Sequence, residues 1–422
     1  MSYLVLKEDC YLVDGHARSA IYDLASGRLL SISKKTSDLI KSMPLLESRH
    51  STLSEENVAI VERLLLFNVV IYSDEPIGLK SIKSISKDYS LQFAWIEVTR
   101  QCNLTCTFCY EKSSPYCTER MSVADYKLVI DNLEEVGIKK IQFIGGEPLI
   151  LRNDLKEMIM LGKEKFNFIE VYTNAVLINT DWCEFFKAHD IHIALSIHSY
   201  IAEEHDKLTQ VKGSHKKVEK ALSLIQKYNI PYRIGTVRSK SCKVGDKPKD
   251  YFYELNPKMP KVTGRAAFET FDFEMFKGKA ITKQSKAFPI NKKSVSTAVS
   301  GHQCFIKDIY ISSLLEVYPC VMERRISYGN LKNSRLTNLI NENIRKLSKD
   351  NIDGCKDCEY RYACFDCRPD ANGRDFYAKP WFCSYNPKSG VWIDLQTVFE
   401  MHIKKSSMLP LVVYTNPGES HG

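Results

Sequence analysis

Ten of the fourteen cysteines in this 422-residue chain fall in two sets, and that placement constrains the fold more than any other feature. Three lie in CNLTCTFC, at Cys102, Cys106 and Cys109, and seven lie late, at Cys304, Cys320, Cys355, Cys358, Cys364, Cys367 and Cys383. Cys10, Cys117, Cys183 and Cys242 are scattered. The start, MSYLVLKEDCYLVDG, puts Glu8 and Asp9 where a secretory signal would continue its apolar core, and no small-residue cleavage pattern follows. The most apolar run, VERLLLFNVV, is far short of the roughly 18 consecutive apolar residues of a membrane helix. A cytoplasmic location without a membrane partner is expected, and clustered thiols in a reducing compartment serve as metal ligands or catalytic groups more than as disulfides.

Apolar residues make up 44% of the chain and charged residues 26%, enough for two or three cores. Lys and Arg outnumber Asp and Glu by 59 to 51, a net charge of +8, and the basic residues are dispersed. Such a field favours an acidic partner such as a peptide and gives no support for nucleic acid. Residues 1–78 read as one α/β unit. Extended runs at 3–7, 10–13, 19–23 and 29–32, broken at Asp14-Gly15 and Ser26-Gly27, predict a small meander. Helical periodicity covers 36–43, and Ser54 followed by Glu55 and Glu56 opens a second helix to about residue 67. A last strand at 69–72 completes a winged-helix-like order, and the polar stretch 74–89 reads as a linker.

Strand and helix then alternate through residues 90–263, with strands at 93–99, 140–144, 168–172, 191–197 and 232–237 and helices at 122–136, 153–164, 181–189 and 214–228. That pattern predicts a parallel sheet with crossover helices, too short for a closed barrel of roughly 250 residues. A partial (β/α)6 TIM-like barrel is expected, its sixth strand near Val262. Residues 264–300 read as polar and irregular. Residues 300–390 show little periodicity beyond a helix at 336–347, so this region needs a staple other than a large apolar core. Residues 391–422 form a C-terminal segment, frayed over its last few residues.

Cys102, Cys106 and Cys109 follow the first barrel strand, where the active sites of such barrels collect. Three thiolates spaced CxxxCxxC can hold three irons of a 4Fe-4S cube and leave the fourth open to a small molecule. A zinc site would need a fourth ligand, and only Cys117 is near. CNLTCTFCY closely resembles the cluster loop of the radical S-adenosylmethionine (SAM) superfamily. Gly145-Gly146-Glu147-Pro148, after the second strand, is similar to that family's GGEP motif, which the resemblance places against the SAM amino group. The same resemblance implies that Asn174 and Ser196 bind the methionine and ribose and that Tyr110 lies beside the adenine. It further implies that a reduced cluster cleaves SAM to a 5′-deoxyadenosyl radical, which abstracts hydrogen from an unactivated C–H bond. An Asn in such a place is also a common turn residue or helix cap.

The late cysteines resemble the SPASM domain of radical SAM peptide-modifying enzymes, and one zinc ribbon with spare thiols is the lesser alternative. The resemblance implies two auxiliary 4Fe-4S clusters, one on Cys304, Cys320 and Cys367, with no fourth ligand assigned, and one on Cys355, Cys358, Cys364 and Cys383. Gly264-Arg265-Ala266 is similar to the GRA stretch that precedes this domain, and Cys242 is a weak candidate for the missing ligand. Two departures stand out. Leu315 occupies the place of a usual glycine five residues before the second cysteine, and Cys364-x-x-Cys367 is one residue tighter than the usual spacing. Sulfatase-maturing relatives carry an aspartate directly after that second cysteine, where this chain has Val321-Met322-Glu323, and Glu323 reads as a surface carboxylate sooner than as a displaced base.

The first domain resembles the leader-recognition element of ribosomal-peptide maturases, which takes a peptide as an added strand. GHARSAIYDLASGRL and KDCEYRYACFDCRP are similar to the maturases of grasp-with-SPASM systems, where an ATP-grasp ligase is a partner. The resemblance therefore implies an enzyme that crosslinks a precursor peptide through a thioether or carbon–carbon bond, fed by an electron donor such as flavodoxin or ferredoxin. Protein active-site maturation of the sulfatase type and peptide epimerisation are the alternatives. A structural cap or a DNA-binding winged helix is the other reading of the first domain, but its second helix starts acidic and carries only Arg63.

Overall fold

The computed structural model describes residues 2–43, 53–258, 265, 272–284, 290–364, 367–370 and 375–408. Four strands open the chain: β1 (Tyr3–Leu6), β2 (Cys10–Asp14), β3 (Arg18–Asp23) and β4 (Arg28–Ser33). Only three of them form the meander, in the order β2-β3-β4. Two helices follow, α1 (Lys34–Ser42) and α2 (Glu55–Leu66), each opened by a serine. Ser33 Oγ accepts from Thr36 N at 3.1 Å and Ser54 Oγ from Asn57 N at 3.4 Å. β1 instead pairs antiparallel with β5 (Val70–Ser73), Leu6 opposite Val70. The reason is burial: Leu4 joins Ile21, Ile40, Val61 and Val69 in one core, which a fourth meander strand would not reach.

The central sheet begins with β6 (Phe93–Thr99), and five crossovers follow: α3 (Val123–Glu135), β7 (Lys140–Gly145), α4 (Asn153–Lys163), β8 (Phe168–Thr173), α5 (Thr180–Ala188), β9 (His192–Ser196), α6 (Ala202–Thr209), α7 (Ser214–Lys227), β10 (Tyr232–Val237) and β11 (Pro257–Lys258). All six strands are parallel. β11 supplies the sixth strand, and residue 262 lies outside the described residues. One face carries Ile96, Val98, Phe143, Val171 and Leu195 against the helices. The other is more polar than the apolar runs suggest: Arg233 donates to both oxygens of the buried Glu170, at 2.9 and 2.7 Å, and Gln142 bonds the same carboxylate.

The cysteine-rich region is not separate from this sheet. After α8 (Phe273–Lys279) and α9 (Lys292–Ser300), β12 (Asp308–Ile311) lies parallel to β6, Asp308 opposite Phe93 and Ile311 opposite Ile96. β13 (Glu316–Tyr318) and β14 (Gly329–Asn330) extend it antiparallel. The expected helix at 336–347 is two turns, α10 (Leu336–Leu339) and α11 (Glu342–Arg345), because Asn341 accepts from Asn343 N and Ile344 N and starts a new helix. The stretch read as irregular contains α8 and α9, capped by Asp272 and Asn291. The stretch read as a linker is strapped down: Ile82 is buried, Ser296 Oγ donates to Ile85 O at 2.6 Å, and Lys87 N donates to Ser300 Oγ at 2.8 Å. β15 (Tyr385–Asn386), β16 (Val391–Trp392) and α12 (Leu395–Met408) end the described chain.

Leu315, the residue in place of the usual glycine, turns the β12–β13 hairpin with φ of 66°. A left-handed backbone costs a branched residue about 1–2 kcal/mol. Its side chain is fully buried, and burying a leucine returns about 1.5–3 kcal/mol, so the turn is tolerated.

The first unit is held to the cysteine-rich region through the β2–β3 turn. His16 N donates to Asp357 O at 2.7 Å, and a Cβ on Gly15 would lie 2.7 Å from Glu359 N and 2.9 Å from Asp357 O. Gly15→Ala is therefore expected to lower stability by roughly 1–3 kcal/mol, the usual range for overpacking, read as a lower urea midpoint with early proteolysis of residues 2–43.

Candidate active site

Cys102 lies three residues beyond the end of β6. Its loop is fixed from two sides. Thr105 N and Thr107 N donate to Thr209 O and Leu208 O of α6, at 3.1 and 3.0 Å. From the other side Arg265 binds four loop carbonyls: its backbone N reaches Cys109 O at 2.9 Å, and its guanidinium reaches Cys106 O, Lys112 O and Ser113 O at 3.0, 2.7 and 2.7 Å. The GRA stretch was legible as a resemblance, but nothing in the sequence signals this clamp. Burial and the neighbouring Cys109 push the Cys106 thiol up to about 12, with Arg265 opposing them, so the metal-free thiol is neutral.

The glycines of the Gly145–Pro148 turn serve the protein's own backbone. A Cβ on Gly145 would stand 2.1 Å from Thr99 O, and one on Gly146 would stand 2.2 Å from Gln101 O. Gly146 N donates to Thr99 O at 2.7 Å and Glu147 N to Gln101 O at 2.8 Å, so the turn is laced to the residues directly before Cys102. Glu147 is fully buried and accepts from Leu149 N, Thr173 Oγ1 and Asn174 N at 3.0, 2.7 and 2.7 Å. Burial pushes its carboxyl up to about 7 against those donors. Asn174 Nδ2 in turn lies 2.8 Å from Asn103 Oδ1 and 3.6 Å from Cys102 Sγ.

Cys102, the glycine turn, Glu147 and Asn174 therefore form one connected constellation at the C-terminal ends of β6, β7 and β8. Ser196 closes β9 opposite Gly235, and no described hydrogen bond brings it into that network. Tyr110 is half-buried beside Glu111 and Arg324, and burial pushes its hydroxyl far up. Sequence reasoning missed that setting. Arg324 pairs with Glu111, donates to Cys320 O at 3.2 Å, and lies 3.7 Å from the Tyr310 ring centroid. Tyr310 Oη and Ser313 Oγ both donate to the buried Glu97, at 2.5 and 2.7 Å. A chain of buried polar groups thus connects the first cysteine loop to the second cysteine set.

In the second set, Cys355, Cys358, Cys364 and Cys383 line one small cavity of about 20 Å³. Lys349, Arg361 and Lys379 line it too, and among the described residues no carboxylate does, which suits four thiolates. Among the described residues no three Cys, His, Asp or Glu side chains close on a single point as ligands of one ion do. Four thiols at the cavity's edge are the ligand number that a 4Fe-4S cube takes, as a structural zinc does. The β12–β13 register brings Cys304 and Cys320 to one end of the hairpin: Tyr310 pairs with Tyr318, and Cys304 O accepts from Asp308 N at 2.9 Å. Residues 365–366, inside the tightened spacing before Cys367, lie outside the described residues. Cys242 is placed elsewhere, its thiol 3.6 Å from Glu204 O. Glu323 is not on the surface. It is 1% exposed and receives Arg325 on both oxygens, at 2.8 and 2.6 Å.

Beneath the cluster loop lie three buried histidines. His198 meets Phe108 edge-on at 4.7 Å and stacks on His205 at 5.4 Å, and His205 faces His215 at 5.3 Å. Burial holds His198 down at about 3 and His205 at about 4, so both are neutral. Because these values lie below the unfolded value near 6.5, their contribution is complete above that pH. It is lost as pH falls toward 4, at roughly 1.4 kcal/mol per pH unit for each histidine. Urea midpoints between pH 7.5 and 5.0 should therefore fall more steeply in the parent than in His205→Gln. Gly146→Ala should disrupt the cluster loop, and after reconstitution the variant should hold about four fewer irons per chain than the parent.

Comparison with known proteins agrees with this geometry. The Radical SAM superfamily model matches residues 96–238, from β6 through β10 and its following residue. The antilisterial bacteriocin subtilosin biosynthesis protein AlbA of Bacillus subtilis is 24% identical over 275 residues, 59% of this chain and 59% of AlbA, so the match spans less than two thirds of that relative. A cysteine-type anaerobic sulfatase-maturating enzyme of Clostridium novyi is 24% identical over 321 residues, 62% of this chain and 83% of that enzyme. Streptococcus suis SuiB, solved with its precursor peptide SuiA, aligns with 89% of this chain and 98% of its own at 13% identity, with a TM-score of 0.45. Members of the matched family work with SAM and a 4Fe-4S cluster. The cysteine loop, the glycine turn and strands β7 to β10 fall inside the matched span, and residues 96–238 are accordingly a radical SAM domain.

Proposed function

We propose that this chain is a maturase of a ribosomally made precursor peptide, and that it installs a thioether or carbon–carbon crosslink. The observation that carries this reading is a groove of about 880 Å³ along the β4 edge. Among the described residues no strand covers that edge, and its unpaired backbone is a template for an added strand. Ile60, Leu64 and Phe67 of the α2 wall offer apolar pockets beside it, and the groove's charged residues, Arg18, Arg63 and Lys283, are all basic. An extended acidic leader segment with alternating apolar residues complements that surface. AlbA, whose name records bacteriocin biosynthesis, supports the same substrate class.

When bound, SAM and the cluster held by Cys102, Cys106 and Cys109 supply a 5′-deoxyadenosyl radical that takes hydrogen from the core peptide. The protein's part is placement. Arg265 and α6 hold the loop, the Gly145–Gly146 turn and Asn174 form the wall beside it, and Ser196 and Tyr110 complete the SAM site. Cys304, Cys320 and Cys367 would carry one auxiliary cluster, and Cys355, Cys358, Cys364 and Cys383 the other, giving the second electron of an oxidative crosslink a way out. A flavodoxin or ferredoxin would supply the reducing electron, and an ATP-grasp ligase would act on the same peptide. Sulfatase-type maturation is less well supported: Val321 follows Cys320, and Arg325 occupies both oxygens of Glu323.

Incubation with its cognate precursor peptide, SAM and reductant should give 5′-deoxyadenosine and a peptide lighter by two hydrogens. Unchanged mass with solvent deuterium incorporated would overturn crosslinking in favour of epimerisation. Reconstituted protein should hold about twelve irons, and the Cys102→Ala/Cys106→Ala/Cys109→Ala variant about four fewer. About four irons with one zinc would remove the auxiliary clusters from the scheme.

A further inference from the structure

The β4 groove and the four-cysteine cavity are two sides of one wall. Tyr360, Tyr385 and Trp392 line both. Their rings form a continuous cluster, with centroids 5.2 Å apart for Tyr360 and Tyr385, 5.9 Å for Tyr360 and Trp392, and 4.7 Å for Tyr385 and Trp392.

A polar link crosses the same wall. Ser31 of β4 donates from Oγ to Glu359 Oε1 at 3.3 Å, and Tyr385 Oη donates to that oxygen at 2.7 Å. Glu359 is fully buried and directly follows Cys358. Arg18 Nε, on the groove side, donates to Ser31 Oγ at 2.8 Å. Two side chains of the groove thus bond to one another, and through Ser31 to a carboxylate one residue from a cluster-ligand candidate.

We propose that strand occupancy of the β4 edge is transmitted through Ser31, Glu359 and Tyr385 to the Cys355/Cys358/Cys364/Cys383 centre, so that peptide binding shifts that centre's midpoint potential. The inference rests on the peptide groove of the preceding reading and adds a regulatory connection to it. Potentials of iron-sulfur centres follow net charge, hydrogen bonding and solvent exposure. A strand laid on β4 covers the groove face of Tyr360 and Trp392 and removes water from one side of the wall. An acidic strand also brings negative charge. Both changes disfavour the more negative, reduced centre, so the potential moves down on binding. In this arrangement Ser31, Glu359 and Tyr385 are positioning residues: they act on the centre through hydrogen bonds and touch no reacting atom.

The test uses the full chain, reconstituted with iron and sulfide, carrying Cys102→Ala/Cys106→Ala/Cys109→Ala so that the first cluster adds no signal. A synthetic alternating Glu-Val peptide serves as the acidic strand. Its binding is read by fluorescence anisotropy and the potential by a redox titration followed by electron paramagnetic resonance, each at saturating peptide. The same measurements are made with Ser31→Ala and with Tyr385→Phe, both checked for iron content equal to the parent. The expected result is binding with a negative shift in the parent that is at least halved in each variant. Absence of binding would overturn the acidic-strand groove and this inference with it. Binding with an unmoved potential would overturn the connection and leave the groove standing. An equal shift in parent and both variants would overturn the route through Ser31 and Tyr385.

Discussion

The site depends on a main-chain contact that admits no side chain. The Gly145–Gly146 turn lies so close to Thr99 and Gln101 that a single methyl group on either glycine would collide with a carbonyl oxygen. Two backbone hydrogen bonds close the same contact. Everything with chemical interest is referred to it. Cys102 follows Gln101, Glu147 follows Gly146, and Glu147 fixes Asn174, which reaches back to Cys102. The buried carboxylate is expensive to desolvate, and its three donors offset that cost only because the turn holds it in place. A loop that must present three thiols at defined separations needs such a stiff base, since otherwise the entropy of ordering it would oppose cofactor loading.

Much of this was legible in the sequence, for physical reasons that differ by element. The parallel strands announce themselves because strands covered on both faces carry long apolar runs, as at 93–99 and 168–172. The cysteine loop and the glycine turn are local motifs, so their chemistry survives without knowledge of the fold. What escaped were relations between distant segments. Nothing around Asp308 says that it pairs with Phe93, more than two hundred residues earlier. Arg265 looks like any basic residue until its four carbonyl acceptors are seen. Glu323 sits in a polar run, MERR, that reads as surface, yet Arg325 makes its burial tolerable. The split of the helix at 336–347 turned on one side chain, Asn341, whose cap competes with helix continuation.

The sheet's inner face shows a similar economy. Gln142, Glu170 and Arg233 sit low in the barrel, far along the strands from Cys102, and tie β7 and β8 to β10, across the intervening β9, by hydrogen bonds. A closed barrel can fill its interior with branched apolar residues, but an open one keeps a wet side, and a paired, hydrogen-bonded plug is stable there. The upper interior is left to the chain of Glu97, Tyr310, Arg324 and Glu111. The two ends of the barrel thus hold separate polar networks, the lower one bracing strands and the upper one joining the two cysteine sets.

The pairing of β12 with β6 has a consequence for the order in which the protein can be completed. β6 is made early, and its outer edge stays unpaired until residues 308–311 have been synthesised. At about 5–20 residues per second, that interval amounts to roughly ten seconds or more of ribosome time. Throughout it, a nascent sheet carries a bare apolar edge next to three cysteines. Contacts of such high sequence separation also form slowly once the chain is free. Iron inserted before the edge is closed would meet a loop whose supporting strand can still slip. Cofactor loading should therefore follow release of the chain, and the supply of chaperones during expression should matter as much to the yield of active protein as the supply of iron.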